Sequence, residues 1–151
     1  MKIYLLTHQR EVDRKTNTGS LAIEPSCSIV ERIIWDRVNP SKKLLALIQS
    51  QTTALLYPSS NSNQLCISDF NHFIILDGTW QEAKKMFNQS DYLESLDKLS
   101  LPISQPSKYK LRRNQTQGGL CTIECIIEIL KLKGHKQLSN HLKDAFIKFN
   151  N

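Results

Sequence analysis

The chain is 151 residues long, 40% hydrophobic and 23% charged, which suits one soluble domain with a core of its own. Its net charge of +6 and sequence pI of about 9.2 point toward an anionic partner, nucleic acid first. No stretch approaches the roughly 20 apolar residues of a membrane span, and the N-terminal apolar run is too short for a signal-peptide core, so a cytoplasmic protein without membrane attachment is expected.

Residues 1–7 alternate weakly and predict a first strand. Residues 10–19 are polar, and Lys15-Thr16-Asn17-Thr18-Gly19 forms a turn-rich loop before a short helix at 20–24. Residues 28–35 are β-branched and apolar, hence a second strand. Ser41 is placed to cap a helix through about residue 49, with Leu44, Leu45, Leu47 and Ile48 on its buried side. A third strand at 53–57 stops at Pro58. Phe73-Ile74-Ile75-Leu76 is a short apolar run of the kind buried on both faces in a parallel sheet. Asp77 follows it, and Thr79-x-x-Glu82 is a capping box that opens the next helix.

A further helical stretch is expected near 92–99 and a short last strand at 100–103. Residues 104–119 form a long polar loop with Lys108, Lys110, Arg112 and Arg113. Loops of that length without their own structure are uncommon in compact domains and usually functional. Helices at 122–133, closed by Gly134, and at 137–149 end the chain. The alternation of strands and helices argues for an α/β fold, a mostly parallel sheet flanked by helices. Cys27, Cys66, Cys121 and Cys125 contain no Cys-x-x-Cys pair; Cys121 and Cys125 share a helix face and read as small core residues, and no metal is expected. His72 reads as a strand-entry residue, and His135 and His141 as surface helix residues.

An acid at the carboxyl end of a buried parallel strand, beside a helix N-terminus, stands where open α/β sheets build their sites. Around Asp77 the chain carries, in order, His8, Thr16-Asn17-Thr18-Gly19, Tyr57-Pro58-Ser59, Asp77-Gly78-Thr79-Trp80, Ser107-Lys108-Tyr109-Lys110-Leu111-Arg112 and Thr122-Ile123-Glu124. This set resembles the DTW-domain family, in which Asp-x-Thr-Trp, Tyr-Pro-Ser, Ser-x-Tyr-x-Leu-Arg and Thr-x-Glu recur in that order. The resemblance covers essentially the whole chain, read as a single domain at 1–151 without the cysteine-rich zinc segment that many bacterial members carry upstream. Gln9 stands where a Pro often follows the His, Ser20 where an Arg often follows Asn-Thr-Gly, and Cys121 and Cys125 replace the usual Ser and Ala.

The resemblance implies a SPOUT-like fold with a trefoil knot in its C-terminal part, and S-adenosylmethionine as co-substrate in the knotted loops. It implies transfer of the 3-amino-3-carboxypropyl group to N3 of a tRNA uridine, with methylthioadenosine released. A SPOUT-type RNA methyltransferase is the alternative. A homodimer is possible, as in many SPOUT-like folds. The sulfonium already activates its leaving group, so the protein has to position and deprotonate the nucleophile. Asp77 is the candidate base, Trp80 a stacking surface for adenine or uracil, and Thr79 a cap that lines the site. Tyr57, Pro58, Ser59, Leu76, Ser107 and Leu111 are expected around the donor, with Arg112 on its carboxylate and Thr122 and Glu124 on its ribose or amino group. Arg10, Lys15, Lys84, Lys85, Lys108, Lys110 and Arg113 are expected against RNA phosphates.

Overall fold

A computed structural model of the chain describes residues 1–23, 28–58, 66–101, 106–111 and 120–151. Five strands form one sheet: β1 (Lys2–Thr7), β2 (Val30–Ile34), β3 (Thr53–Leu56), β4 (His72–Asp77) and β5 (Asp97–Leu99). Their spatial order is β2-β1-β4-β3-β5, and every neighbouring pair is parallel. Helices α1 (Ser20–Ile23), α2 (Lys42–Gln49), α3 (Trp80–Asn88), α4 (Thr122–Leu132) and α5 (Lys136–Asn150) cover both faces.

The period-2 alternation of each strand sorts its side chains onto two cores. Ile3, Leu5, Phe73 and Ile75 pack with Ala22 of α1, with Ile123, Ile126, Ile129 and Leu130 of α4, and with Leu142 and Phe146 of α5. Tyr4, Leu6, Ile74 and Leu76 pack on the other face with Leu44 and Leu47 of α2 and with Ala83 and Met86 of α3. Burying β1 and β4 on both faces is what makes them continuous apolar runs. Each fully buried Phe, Ile or Leu here is worth about 1.5–3 kcal/mol.

The helix limits follow local signals. The Ser41 side chain accepts from the Leu44 N–H, Thr79 and Glu82 form the capping box, and Gly134 takes a left-handed φ of 86° between α4 and α5. Two expectations fail. Residues 92–99 are not helical: Asp91–Leu93 make one 3-10 turn, and Asp97–Leu99 pair with β3 as the edge strand; of the strand expected at 100–103, residues 100 and 101 lie outside any strand and 102–103 lie outside the described residues. The free edge of β3 offers backbone partners that outweigh a weak helical propensity. Leu45 is 37% exposed, because α2 turns only Leu44 and Leu47 fully inward.

This topology sets the site. After β1 the chain passes to α1 on one face, while after the adjacent β4 it passes to α3 on the other. In open α/β sheets such a divergence places the ligand crevice at the carboxyl ends of the two strands, here β1 and β4, where Thr7 and Asp77 are register partners.

Candidate functional site

Asp77 ends β4 with its carboxylate buried and encircled by donors. Its Oδ2 accepts from the Thr7 hydroxyl at 3.0 Å, and its Oδ1 accepts from Asn17 Nδ2 and from the Thr122 hydroxyl, each at 3.0 Å. Arg32 Nη2 lies 3.6 Å from Oδ2. One carboxylate therefore ties together the end of β1, the 16–19 loop, the edge strand β2 and the first turn of α4. Gly19 packs its backbone against this junction: a Cβ there would lie 3.0 Å from Leu5 Cδ1 and 3.1 Å from both Asp77 Oδ2 and Thr122 Cγ2.

The network continues outward through Asn17. Its Oδ1 accepts from the Ser20 N–H at 2.8 Å, the Ser20 hydroxyl at 2.7 Å and Arg32 Nη2 at 3.1 Å, while its Nδ2 also donates to Glu11 at 3.2 Å. Glu11 is itself buried and pairs with Arg14, which reaches on to Glu82 at 3.2 and 3.4 Å. Burial pushes the Glu82 carboxyl up, but the Thr79 N–H and the Arg14 guanidinium overcome that and hold it below its ordinary value. His8 stacks on Trp35 with ring centroids 5.5 Å apart and brings Nδ1 within 3.9 Å of Glu82.

Two further assemblies flank this junction. At the end of β3, the Tyr57 ring stacks on Phe87 at 4.3 Å and leans on Trp80 at 5.8 Å, forming an aromatic shelf whose outer member, Trp80, is 36% exposed. Burial raises the Tyr57 phenol above its ordinary value. On the opposite side, Glu124 of α4 latches residues 106–111. Its Oε1 accepts from the Ser107 hydroxyl at 2.5 Å and the Cys121 N–H at 3.0 Å, and its Oε2 accepts from the Lys108 N–H at 2.9 Å. Tyr109 is buried against Phe146 and Phe149, and its hydroxyl donates to the Thr16 carbonyl, closing a ring back to the Asn17 loop.

The DTW domain profile matches residues 1–151. The chain belongs to the DTW domain family. Among curated proteins, this DTW domain is 29% identical over 137 aligned residues to a Drosophila melanogaster protein named tRNA-uridine aminocarboxypropyltransferase 2, covering 85% of this chain and 55% of that protein. Proteins of the same name from Macaca fascicularis and Mus musculus are 24% and 26% identical, over 97% and 86% of this chain and 51% and 47% of theirs. The chain spans about half the length of the curated relatives it matches. No solved structure matches it significantly.

Within the DTW domain, the residues expected from sequence divide into groups. Asp77 and Thr122 meet directly, Thr79 caps α3, and Tyr57 and Trp80 share the shelf. Pro58 and Leu111 are exposed beside it and beside the latch, respectively, in sequence. Leu76 turns its side chain into the α2–α3 core, so only its backbone is left to face the crevice. Glu124 and Ser107 bond each other, which makes Glu124 a fastening for the loop. Arg10, Lys15, Lys84, Lys85, Lys108 and Lys110 are exposed. Ser59, Arg112 and Arg113 lie outside the described residues, as does Cys27. Among the described residues no cluster of His, Cys, Asp and Glu suits a metal ion, and no helix is long and apolar enough to cross a membrane.

Sequence reasoning missed Arg32, Thr7, Arg14 and Phe87. Only Arg32 left a signal, a cation inside the apolar strand Val30–Ile34.

Proposed function

We propose that this chain transfers the 3-amino-3-carboxypropyl group of S-adenosylmethionine to N3 of a uridine in tRNA. The observation that carries this reading is membership of the DTW family over residues 1–151, together with the shared name of the curated relatives. In the reaction, uridine N3 gives up its proton to solvent and forms a bond to the γ-carbon of the donor. The bond from that carbon to sulfur breaks, and neutral methylthioadenosine leaves.

The residues in the crevice suit a donor with an aromatic base and a charged amino-acid arm. The Tyr57–Trp80–Phe87 shelf offers a face for a purine or for the splayed uracil, and stacking of this kind is worth about 1–3 kcal/mol per base. A uridine in folded tRNA has to leave its stack to reach any such pocket. Arg112, which follows the latched 106–111 segment in sequence, is the expected partner of the donor carboxylate.

Asp77 is better suited to positioning than to proton abstraction. Its acceptor positions are already taken by Thr7, Asn17 and Thr122, with Arg32 alongside, and it is 1% exposed. Its role is to hold the 16–19 loop and the start of α4 in one arrangement, across which a threaded, SPOUT-like C-terminal segment would bind the donor. The Tyr109–Thr16 bond supports such a close approach of the 106–111 segment to the Asn17 loop.

The test is incubation of the purified protein with S-adenosylmethionine and unmodified bulk tRNA, followed by mass spectrometry. A uridine heavier by one aminocarboxypropyl group, with methylthioadenosine, is expected. Methylated nucleoside with S-adenosylhomocysteine would move the protein to the methyltransferase reading.

A further inference from the structure

Few cations of this chain are matched. Around the crevice Arg14 pairs with Glu11 and Glu82, and Arg32 with Asp77, while exposed Arg10, Lys15, Lys84 and Lys85 form no salt bridge among the described residues. On the edge of the sheet Lys2 and Lys43 both reach Glu31. The C-terminal helices add a local excess of positive charge. Residues 131–151 hold five lysines against one aspartate, a net +4 out of the +6 of the whole chain. Among the described residues none of these lysines forms a salt bridge, and Lys131, Lys136, Lys143 and Lys148 are exposed.

These charges follow a broad outer track on α5 between two fixed ends: Lys136 and Lys143 share one side, and Lys148 lies about 140° round the helix, beyond the exposed Asp144. At the α4–α5 corner Lys133 lies over the Phe73 ring at 5.8 Å, beside the beginning of β4 and so at the end of the sheet away from Asp77. At the far end of α5, Asn150 Oδ1 accepts from the Lys110 N–H at 2.9 Å and Asn150 Nδ2 donates to the Lys108 carbonyl at 2.7 Å. Tyr109 is buried between them while Lys108 and Lys110 are exposed, so the helix hands its basic face on to the loop that Glu124 latches beside the crevice. The 15 residues of α5 make this track about 22 Å long.

We propose that the outer face of α5, with the α4–α5 corner, docks the phosphate backbone of the RNA substrate and leads it to the crevice. The proposal rests on the tRNA reading above and adds where the RNA lies. An exposed lysine with no carboxylate partner releases counterions when it meets a phosphate, which gives affinity without sequence preference. A nucleic-acid segment as long as the helix presents on the order of ten phosphates to such a track. Ile147 and Leu132 are also exposed on these helices and would suit a protein partner, but they are two apolar residues among four unpaired cations.

The test compares two triple variants with equal loss of charge: Lys136→Gln, Lys143→Gln and Lys148→Gln on α5, against Arg37→Gln, Lys42→Gln and Lys43→Gln at the opposite side of the sheet. Binding of fluorescently labelled unmodified bulk tRNA is followed by anisotropy across a salt series, with Tm recorded for each protein. The α5 variant should keep its Tm, weaken binding on the order of tenfold at 0.1 M salt, and flatten the log–log salt slope by about 2. In turnover it should raise KM for tRNA with kcat unchanged. The control should change affinity less than about threefold, since net charge alone is a weak lever at this ionic strength. Equal losses in both variants, or unchanged affinity and slope in the α5 variant, overturn the proposal. If the α5 variant keeps its tRNA affinity but loses retention on polyglutamate, the face belongs to an acidic protein and the proposal falls. A wild-type protein that binds the donor but no tRNA overturns the tRNA reading itself, an outcome distinct from the others.

Discussion

Arg32→Met isolates the buried charge pair that holds the crevice together. The Arg32 side chain is 16% exposed and that of Asp77 is 1% exposed, so solvent screens the pair poorly. The substitution removes the 3.6 Å ion pair and the bonds from Arg32 to Thr7, Asn17 and Ser20 at 3.1, 3.1 and 3.2 Å. Methionine keeps most of the stem volume, which limits any cavity contribution. The loss is then mainly that of a carboxylate left buried with neutral donors alone, about 3–5 kcal/mol. For a chain of this size that lowers Tm by roughly 6–20 °C. Urea unfolding followed by circular dichroism and tryptophan fluorescence measures it directly. A double-mutant cycle with Asp77→Asn should show a coupling of about 1–3 kcal/mol, because each single variant strands the other's partner. A cost below about 1 kcal/mol for Arg32→Met, or additivity within about 0.5 kcal/mol, would refute the hub assigned to Asp77.

Gly19→Ala should destabilise the chain by about 1–3 kcal/mol and depress turnover, since its methyl group would press on Leu5, Asp77 and Thr122 at once; a wild-type Tm would show that the junction yields freely. Glu124→Gln turns an amide N–H toward either the Lys108 N–H or the Ser107 hydroxyl, and should speed hydrogen exchange at Lys108 and Tyr109 and raise KM for the donor. Trp80→Ala should cost about 1–2 kcal/mol of stability, as the ring leans on Tyr57 and is only 36% exposed, while weakening donor or RNA binding about tenfold to a hundredfold. Thiol labelling over a pH series, mapped by peptide mass spectrometry, should modify Cys66 before Cys121 and Cys125. Cys66 is exposed and its thiol is lowered by bonds to Ser68, whereas burial and the Glu124 charge push Cys121 up, and burial with Glu124 and Glu128 raises Cys125 to about 12. More thiolate forms at Cys66 at any pH below about 9, so equal labelling there would contradict the packing of α4.

Much of this fold was legible in the order of residues, because the signals that set elements are local. The 73–76 apolar run, the Ser41 and Thr79 caps and the Gly134 stop each act within a few residues, and each element they bound forms. The exception is instructive: residues 97–99 read as helical until the exposed edge of β3 is available to pair with them. The position of Asp77 at the end of a buried strand was legible too, but its surroundings were not. Sheet order β2-β1-β4-β3-β5 brings Thr7 and Arg32 to the Asp77 side of the crevice, while the 16–19 loop and the start of α4 close over it from chain positions 60 and 45 residues away. Periodicity and capping decide what each segment becomes; which polar groups meet in the interior is decided by register and strand order, and those exist only once the sheet has assembled.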